Sequence, residues 1–196
     1  MRRGKNVISI AAVLVSGLAL SGCGDPSGTG SAESSATTAA PAVKVALRSP
    51  GITTSALPSV YTCDGKNISP PLVWGAVPPS VEELAVFALG VQRGISIGRT
   101  VEWAMAGVNP ALHHINPGQV PRGAFLLHTT GGNAQYSVCP PKGPGQDYVF
   151  AIYALPVGVH ATPQISGVTL LHNLTESTPQ DRSPASGSFE AHYARP

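Results

Sequence analysis

Glu83-Leu84-Ala85-Val86-Phe87-Ala88-Leu89-Gly90-Val91 is the stretch whose reading decides the fold. Alternate residues of a strand share a face, so Leu84, Val86 and Ala88 lie on one side and Ala85, Phe87 and Leu89 on the other. Both sides are apolar, which is the pattern of a central strand covered above and below. Outward from it, residues 43–48, 100–108, 124–128 and 148–155 form further short apolar or alternating runs, separated by Gly, Pro, Asn or Ser clusters. One segment, 165–175, has helical spacing, with Ile165, Val168, Leu171 and His172 recurring before the break at Pro179. Strands do not alternate with helices and no repeat is visible, which disfavours doubly wound and solenoid architectures. The expected class is all-β, a sandwich of two sheets.

Composition narrows the function classes. The 196 residues are 42% hydrophobic and only 11% charged, so the chain can bury a core and is not a disordered charged tail. Twenty-two Gly and 19 Pro demand many turns and exclude a helical bundle. The formal charge of +2 includes Arg2, Arg3 and Lys5, which sit in a segment read as removed. Without those three, nine of the 12 basic residues face 10 acidic ones, a charge near −1 with no Lys/Arg cluster. That excludes the electrostatic footprint of a nucleic-acid binder.

Residues 1–22 read as an export signal: a basic start, an apolar stretch from Val7 to Leu20, and small residues before Cys23. Leu20-Ser21-Gly22-Cys23 resembles the lipobox of bacterial lipoproteins, in which the cysteine becomes the acylated first residue. The resemblance implies lipid on Cys23, palmitate among its chains, and two diacylglycerol chains suffice for stable anchoring. Residues 24–41 contain no large apolar side chain and read as a tether with a reach of roughly 25 Å. The expected organisation is a signal peptide over 1–22, a tether over 23–41 and a folded domain over 42–196. The expected location is the bacterial cell envelope, with the membrane as partner through Cys23.

Two chemistries are weighed first. Gly94-Ile95-Ser96-Ile97-Gly98 matches G-x-S-x-G, with Asp181 and His192 following in hydrolase order. A nucleophile elbow needs a helix after the serine, whereas Arg99-Thr100-Val101-Glu102-Trp103 has a strand's composition. Ser96 is expected to be dispensable and the protein not to be an enzyme. Six histidines raise a metal site, but no C-x-x-C or H-E-x-x-H occurs and His113-His114 are adjacent, so neither a metal nor a cofactor is expected.

Tyr61-Thr62-Cys63-Asp64-Gly65-Lys66-Asn67-Ile68-Ser69-Pro70-Pro71-Leu72-Val73-Trp74 then resembles the Y-T-C-D-G-x-x-x-S-P-P-L-x-W opening of the phosphatidylethanolamine-binding protein family, the Raf kinase inhibitor-like proteins. Glu102-Trp103, Asn109-Pro110, Tyr136 with Cys139-Pro140-Pro141, Tyr148-Val149-Phe150 and the terminal Tyr193-Ala194-Arg195 follow in the family's order. The resemblance covers about residues 45–196. It implies two antiparallel sheets with Greek-key connections and one or two short helices. It also implies a pocket built from Glu102, Trp103, Tyr136, Cys139, Pro140, Pro141, Gln146 and Tyr148. Members hold a phosphate-like anion with an Asp from D-P-D-A-P, a His before Trp, a C-P-P turn, and a His before Arg-Tyr. In this chain Gly90-Val91-Gln92-Arg93-Gly94 replaces the D-P-D-A-P, Glu102 replaces one His, and Gln146-Asp147 replace His-Arg. The expected function is a membrane-anchored ligand-binding or protein-interaction domain with weakened phosphate binding, its small-molecule or protein ligand unidentified. The alternative is a protease- or kinase-inhibitor-like module. Trp74 and Trp103 are expected as packed sheet aromatics, and Glu102 as a pocket wall that reaches water, pairs with an Arg such as Arg99 or stays protonated, the competing reading being a solvent-facing carboxylate on an edge strand.

With Cys23 consumed by lipid, Cys63 and Cys139 remain as an even pair in an oxidising compartment, which points to a disulfide. The competing reading is two buried thiols that never meet, since a bridge requires Cα atoms within about 7 Å.

Overall fold

The computed structural model describes residues 42–92, 98–176 and 183–196. The signal segment, Cys23, the tether, Arg93, Ser96 and Asp181 lie outside them. The elements are β1 (Val43–Lys44), β2 (Leu47–Arg48), β3 (Leu72–Trp74), β4 (Leu84–Gln92), β5 (Gly98–Val108), β6 (His114–Ile115), β7 (Phe125–Leu126), β8 (Gln146–Ala154), α1 (Gly167–Thr175) and β9 (Ala185–Tyr193). One sheet has the order β1-β9-β8-β4-β5-β7 and the other β2-β3-β6. Strands β4, β5 and β7 run antiparallel side by side, and β8 returns beside β4. The spatial order β8-β4-β5-β7 is a Greek key. The edge pair β1–β9 is parallel, a departure from a purely antiparallel sandwich.

The chain over 43–48, read from sequence as one run, divides between the sheets. Val45 N–H donates to Ser186 O in the large sheet (2.8 Å), and Ala46 O accepts from Gly75 N–H beside the small one (2.9 Å). The run over 124–128 shortens to β7, although Leu127 N–H still donates to Ala104 O at 2.9 Å.

The central-strand expectation holds for β4, whose residues from Leu84 to Leu89 are at most 1% exposed. Leu84, Val86 and Ala88 join Trp74, Trp103, Met105 and Phe150 in the core between the sheets. Ala85, Phe87 and Leu89 join Leu127, Leu155, Leu170 and Leu174 in a second core under α1. The helix begins two residues later than its periodicity suggests because Ser166 caps it, its Oγ accepting from Thr169 N–H at 3.0 Å. Such a cap contributes about 1 kcal/mol. Among the described residues no helix is long and apolar enough to cross a membrane.

Candidate functional site

The site is shaped by an irregularity in β5. Ala88 pairs with Trp103 and Leu89 with Val101, so Glu102 is the extra residue of a β-bulge. Bulges re-aim a side chain out of the regular alternation. Glu102 Oε1 accepts from the Thr100 hydroxyl at 2.6 Å, the length of a charge-assisted bond. From β8, the Tyr148 hydroxyl donates to Gln146 Oε1 at 3.3 Å. These side chains converge on the bare backbone of Gly90. A Cβ there would come 2.5 Å from Gln146 Nε2, 2.7 Å from Thr100 Oγ1 and 3.1 Å from Glu102 Oε1.

Two buried phenols back this cluster. Burial, and after it the Glu102 charge, pushes the ionisation of Tyr148 well above the usual tyrosine range. Tyr136 is raised in the same way, by burial first and then by Tyr148, Glu102 and Tyr61. Its hydroxyl donates to Tyr61 O at 2.8 Å, and its ring meets Trp103 edge-on at 5.8 Å between centroids. Trp103 is thus a packed sheet aromatic that holds Tyr136 in place. Arg99 does not pair with Glu102: it lies on the other face of β5 with Val101, and its charge acts on Tyr153.

An open cleft of about 760 Å³ lies at the same strand ends. Pro141, Pro144 and Gly145 form one wall, Val91, Asp147 and His192 the other, and Gln146 borders both cleft and cluster. Asp147 and His192 are directly opposite in the β8–β9 register, and His192 Nδ1 donates to Asp147 Oδ1 at 2.7 Å. Gly145 has φ +88°, and a Cβ on it would come 2.5 Å from His192 Nε2. Only glycine meets both demands.

The cleft wall is fastened at its base. Cys63 and Cys139 form a disulfide with Cα atoms 5.1 Å apart, which resolves the choice left open by the sequence. Next to Cys63, Asp64 accepts from the Tyr193 hydroxyl and from Arg195 Nε, each at 2.9 Å. The Tyr193 bond is the largest influence holding the Asp64 carboxyl below its usual range, with Arg195 and the Lys142 charge adding to it and partial desolvation opposing. The opening and closing motifs quoted from the sequence therefore meet through Asp64.

Of the residues expected in the pocket, Pro141 and Gln146 line this cleft. Glu102 and Tyr148 join Gln146 in the adjoining cluster, Tyr136 and Trp103 stand behind it, and Pro140 is buried beside the bridged Cys139. The sequence reading missed Thr100, Gly90, Gly145 and the Asp147–His192 pair as one unit. It met His192 only as the last member of the Ser96, Asp181, His192 order that it set aside, because strand register is invisible without the partner strand. The alternation of 185–193 was the available signal.

A Greek-key sandwich with a polar cluster and a cleft at its strand ends defines a β-domain with a candidate site at one end. The sequence profile of the phosphatidylethanolamine-binding protein family matches residues 50–187, and the chain belongs to that family. A Mycobacterium tuberculosis relative bearing the name "Putative lipoprotein LppC" is 32% identical over 160 residues, covering 79% of this chain and 77% of its own length. Two solved structures share the fold at 22% identity. They are the family homologue CT736 of Chlamydia trachomatis (TM-score 0.65; 79% of this chain and 99% of that one) and YbcL of E. coli (TM-score 0.61; 78% and 99%).

Proposed function

We propose that the protein is a lipid-anchored, extracytoplasmic, non-enzymatic binding domain of the cell envelope whose phosphate position has been given over to its own side chains. The carrying observation is the Thr100–Glu102 and Gln146–Tyr148 cluster closed over Gly90. Where the family resemblance calls for two histidines, this chain presents a carboxylate and an amide. Imidazoles can carry positive charge near neutral pH, whereas Glu102 opposes an incoming anion. At an effective dielectric near 20, like charges 4 Å apart repel by about 4 kcal/mol, more than one charge-assisted hydrogen bond returns. A neutral or cationic ligand suits the site better.

Titration calorimetry with inorganic phosphate and phosphoethanolamine tests this reading. The wild type should bind both more weakly than the Glu102→His/Gln146→His variant, and equal affinities would refute it. The anchor reading rests on the lipobox and is supported by the name of the mycobacterial relative. Cys23→Ala should move the protein out of the membrane fraction, and unchanged fractionation and mobility would refute the anchor. The non-enzymatic reading is supported by β5, a strand that begins at Gly98 where a nucleophile elbow calls for a helix after the serine. A fluorophosphonate probe should leave Ser96 unlabelled.

A further inference from the structure

The cleft wall over 139–145 is held from three directions. At its start, Cys139 is bridged to Cys63. In its middle, Lys142 pairs with Arg195 of the C-terminal segment. At its end, Gly145 lies against the His192 ring. The first two holds share a root, because Asp64, next to Cys63, binds Tyr193 and Arg195. The bridge, the wall and the C-terminal segment thus form one closed circuit, with His192 and the cleft on its far side.

Between its holds the wall has little of its own. Gly143 and Gly145 have φ of +141° and +88°, and Pro140, Pro141 and Pro144 have no N–H to donate. A segment of this composition keeps one shape only while its ends are fixed. Cys139 is the exposed residue of the bridge and Cys63 the half-buried one, so solvent approaches the bridge from the Cys139 side.

We infer that the Cys63–Cys139 disulfide is a redox latch on the cleft: its reduction frees the 139–145 wall from His192 and opens the site while the two sheets stay folded. The reductant is a protein or small-molecule dithiol. One of its thiolates attacks Cys139 Sγ, the S–S bond breaks and Cys63 leaves as thiolate. Its second thiol resolves the mixed disulfide. The dithiol ends as a disulfide, and Cys63 and Cys139 end as two thiols carrying its two protons. The inference does not depend on which ligand the cleft takes.

The test reads His192 directly. The full-length protein, oxidised or treated with dithiothreitol, is labelled with diethyl pyrocarbonate, and modification rates are followed at His192 and at His113, His114, His128, His160 and His172. Reduction should raise the His192 rate at least threefold, with the other five unchanged and the far-UV circular dichroism retained. A second variant, Asp64→Ala with the disulfide intact, removes the grip on Tyr193 and Arg195 and should raise the His192 rate in the same direction by a smaller factor. An unchanged His192 rate in either arm overturns the latch. So does a rise at all six histidines together, which would mean that the bridge holds the whole fold and not this wall.

Discussion

Glu83→Ala should destabilise the protein by about 3 kcal/mol, and Glu83→Gln by about 1 kcal/mol, for reasons that lie in the second bulge of β5. Leu84 pairs with Val108 but Val86 with Met105, so β5 carries an extra residue here as well. Gly107 absorbs it at φ +71°, where a Cβ would come 2.7 Å from Gly123 O. The irregular backbone leaves Gly107 N–H without a ladder partner, and Glu83 Oε1 accepts from it at 2.8 Å. The same oxygen accepts a longer bond from Ala161 N–H (3.4 Å), and Oε2 meets His160 Nδ1 at 3.2 Å. The short bond to a buried carboxylate contributes roughly 1.5–3 kcal/mol. The Ala161 bond adds a fraction of that, and the His160 contact, 60% exposed on the His side, adds at most about 1 kcal/mol. Alanine removes all three and strips Gly107. Glutamine keeps a carbonyl on Gly107 and loses only the charge. Denaturant unfolding at neutral pH measures the two differences, and each kcal/mol corresponds to about 2–4 °C in Tm for a chain of this size. Equal losses for Ala and Gln, or a loss below 1 kcal/mol for Ala, would refute the assignment of Glu83 as the partner that holds the bulge.

Three further outcomes are expected. In a spectrophotometric titration at 295 nm, Tyr136, Tyr148 and Tyr153 should ionise above the usual tyrosine range, each chiefly because burial disfavours the phenolate. Their folded-state values are raised, so their contribution to stability is complete below about pH 10 and is lost as the pH climbs further; unchanged stability between pH 9 and 11 would contradict this. The depressed Asp64 carboxyl works in the opposite sense: its stabilisation is present above its unfolded value near 4 and fades as the pH falls toward the lower folded one, so Asp64→Asn should flatten the acid limb of a stability-against-pH curve. Gly187→Ala should detach β1, because a Cβ there would collide with the carbonyl of Val45, a backbone atom that cannot rotate away; proteolysis should then cut near residues 42–47 faster than in the wild type.

The parts of the fold that were legible in the sequence are those whose signal is local. Six successive apolar residues on both faces of β4 permit little except a covered strand, and the apolar spacing over 165–175 marks a helix. The strand β9 was not read, although it is as long as β4. Its inward positions include Ala185, Gly187 and Ala191, which are small because the chain at Val45 crosses close above Gly187. Small residues beside Ser186 and Ser188 look like a turn. Strands β3 and β6, with three and two residues, are too short for any period to register. The site divides along the same line. Glu102, Gln146 and Tyr148 could be nominated because they occupy motif positions, but the bulge that turns Glu102 toward Thr100 is a property of the β4–β5 pairing. The Asp147–His192 contact joins residues 45 apart in sequence through a register that neither strand specifies alone.

The direction of the site bears on what can reach it. The chain enters the large sheet where Val43 pairs with Ala185, at the first residue of β9, whereas His192 and the cleft lie near its last. Seven residues of strand separate the two ends, about 23 Å. The chain that precedes residue 42 therefore joins the domain at the end away from the cleft. Under the proposed location, a ligand or protein arriving from the envelope space meets the cleft directly. Under the proposed anchor, a headgroup of the same membrane is reached when the domain turns over on a tether whose reach is roughly 25 Å. That geometry and Glu102, at the position where the family resemblance calls for a histidine, act in the same direction under the proposed function. Under the proposed function the first turns the site away from the bilayer's phosphates and the second makes it a poor host for them, so the partners that reading favours are neither lipid nor phosphate.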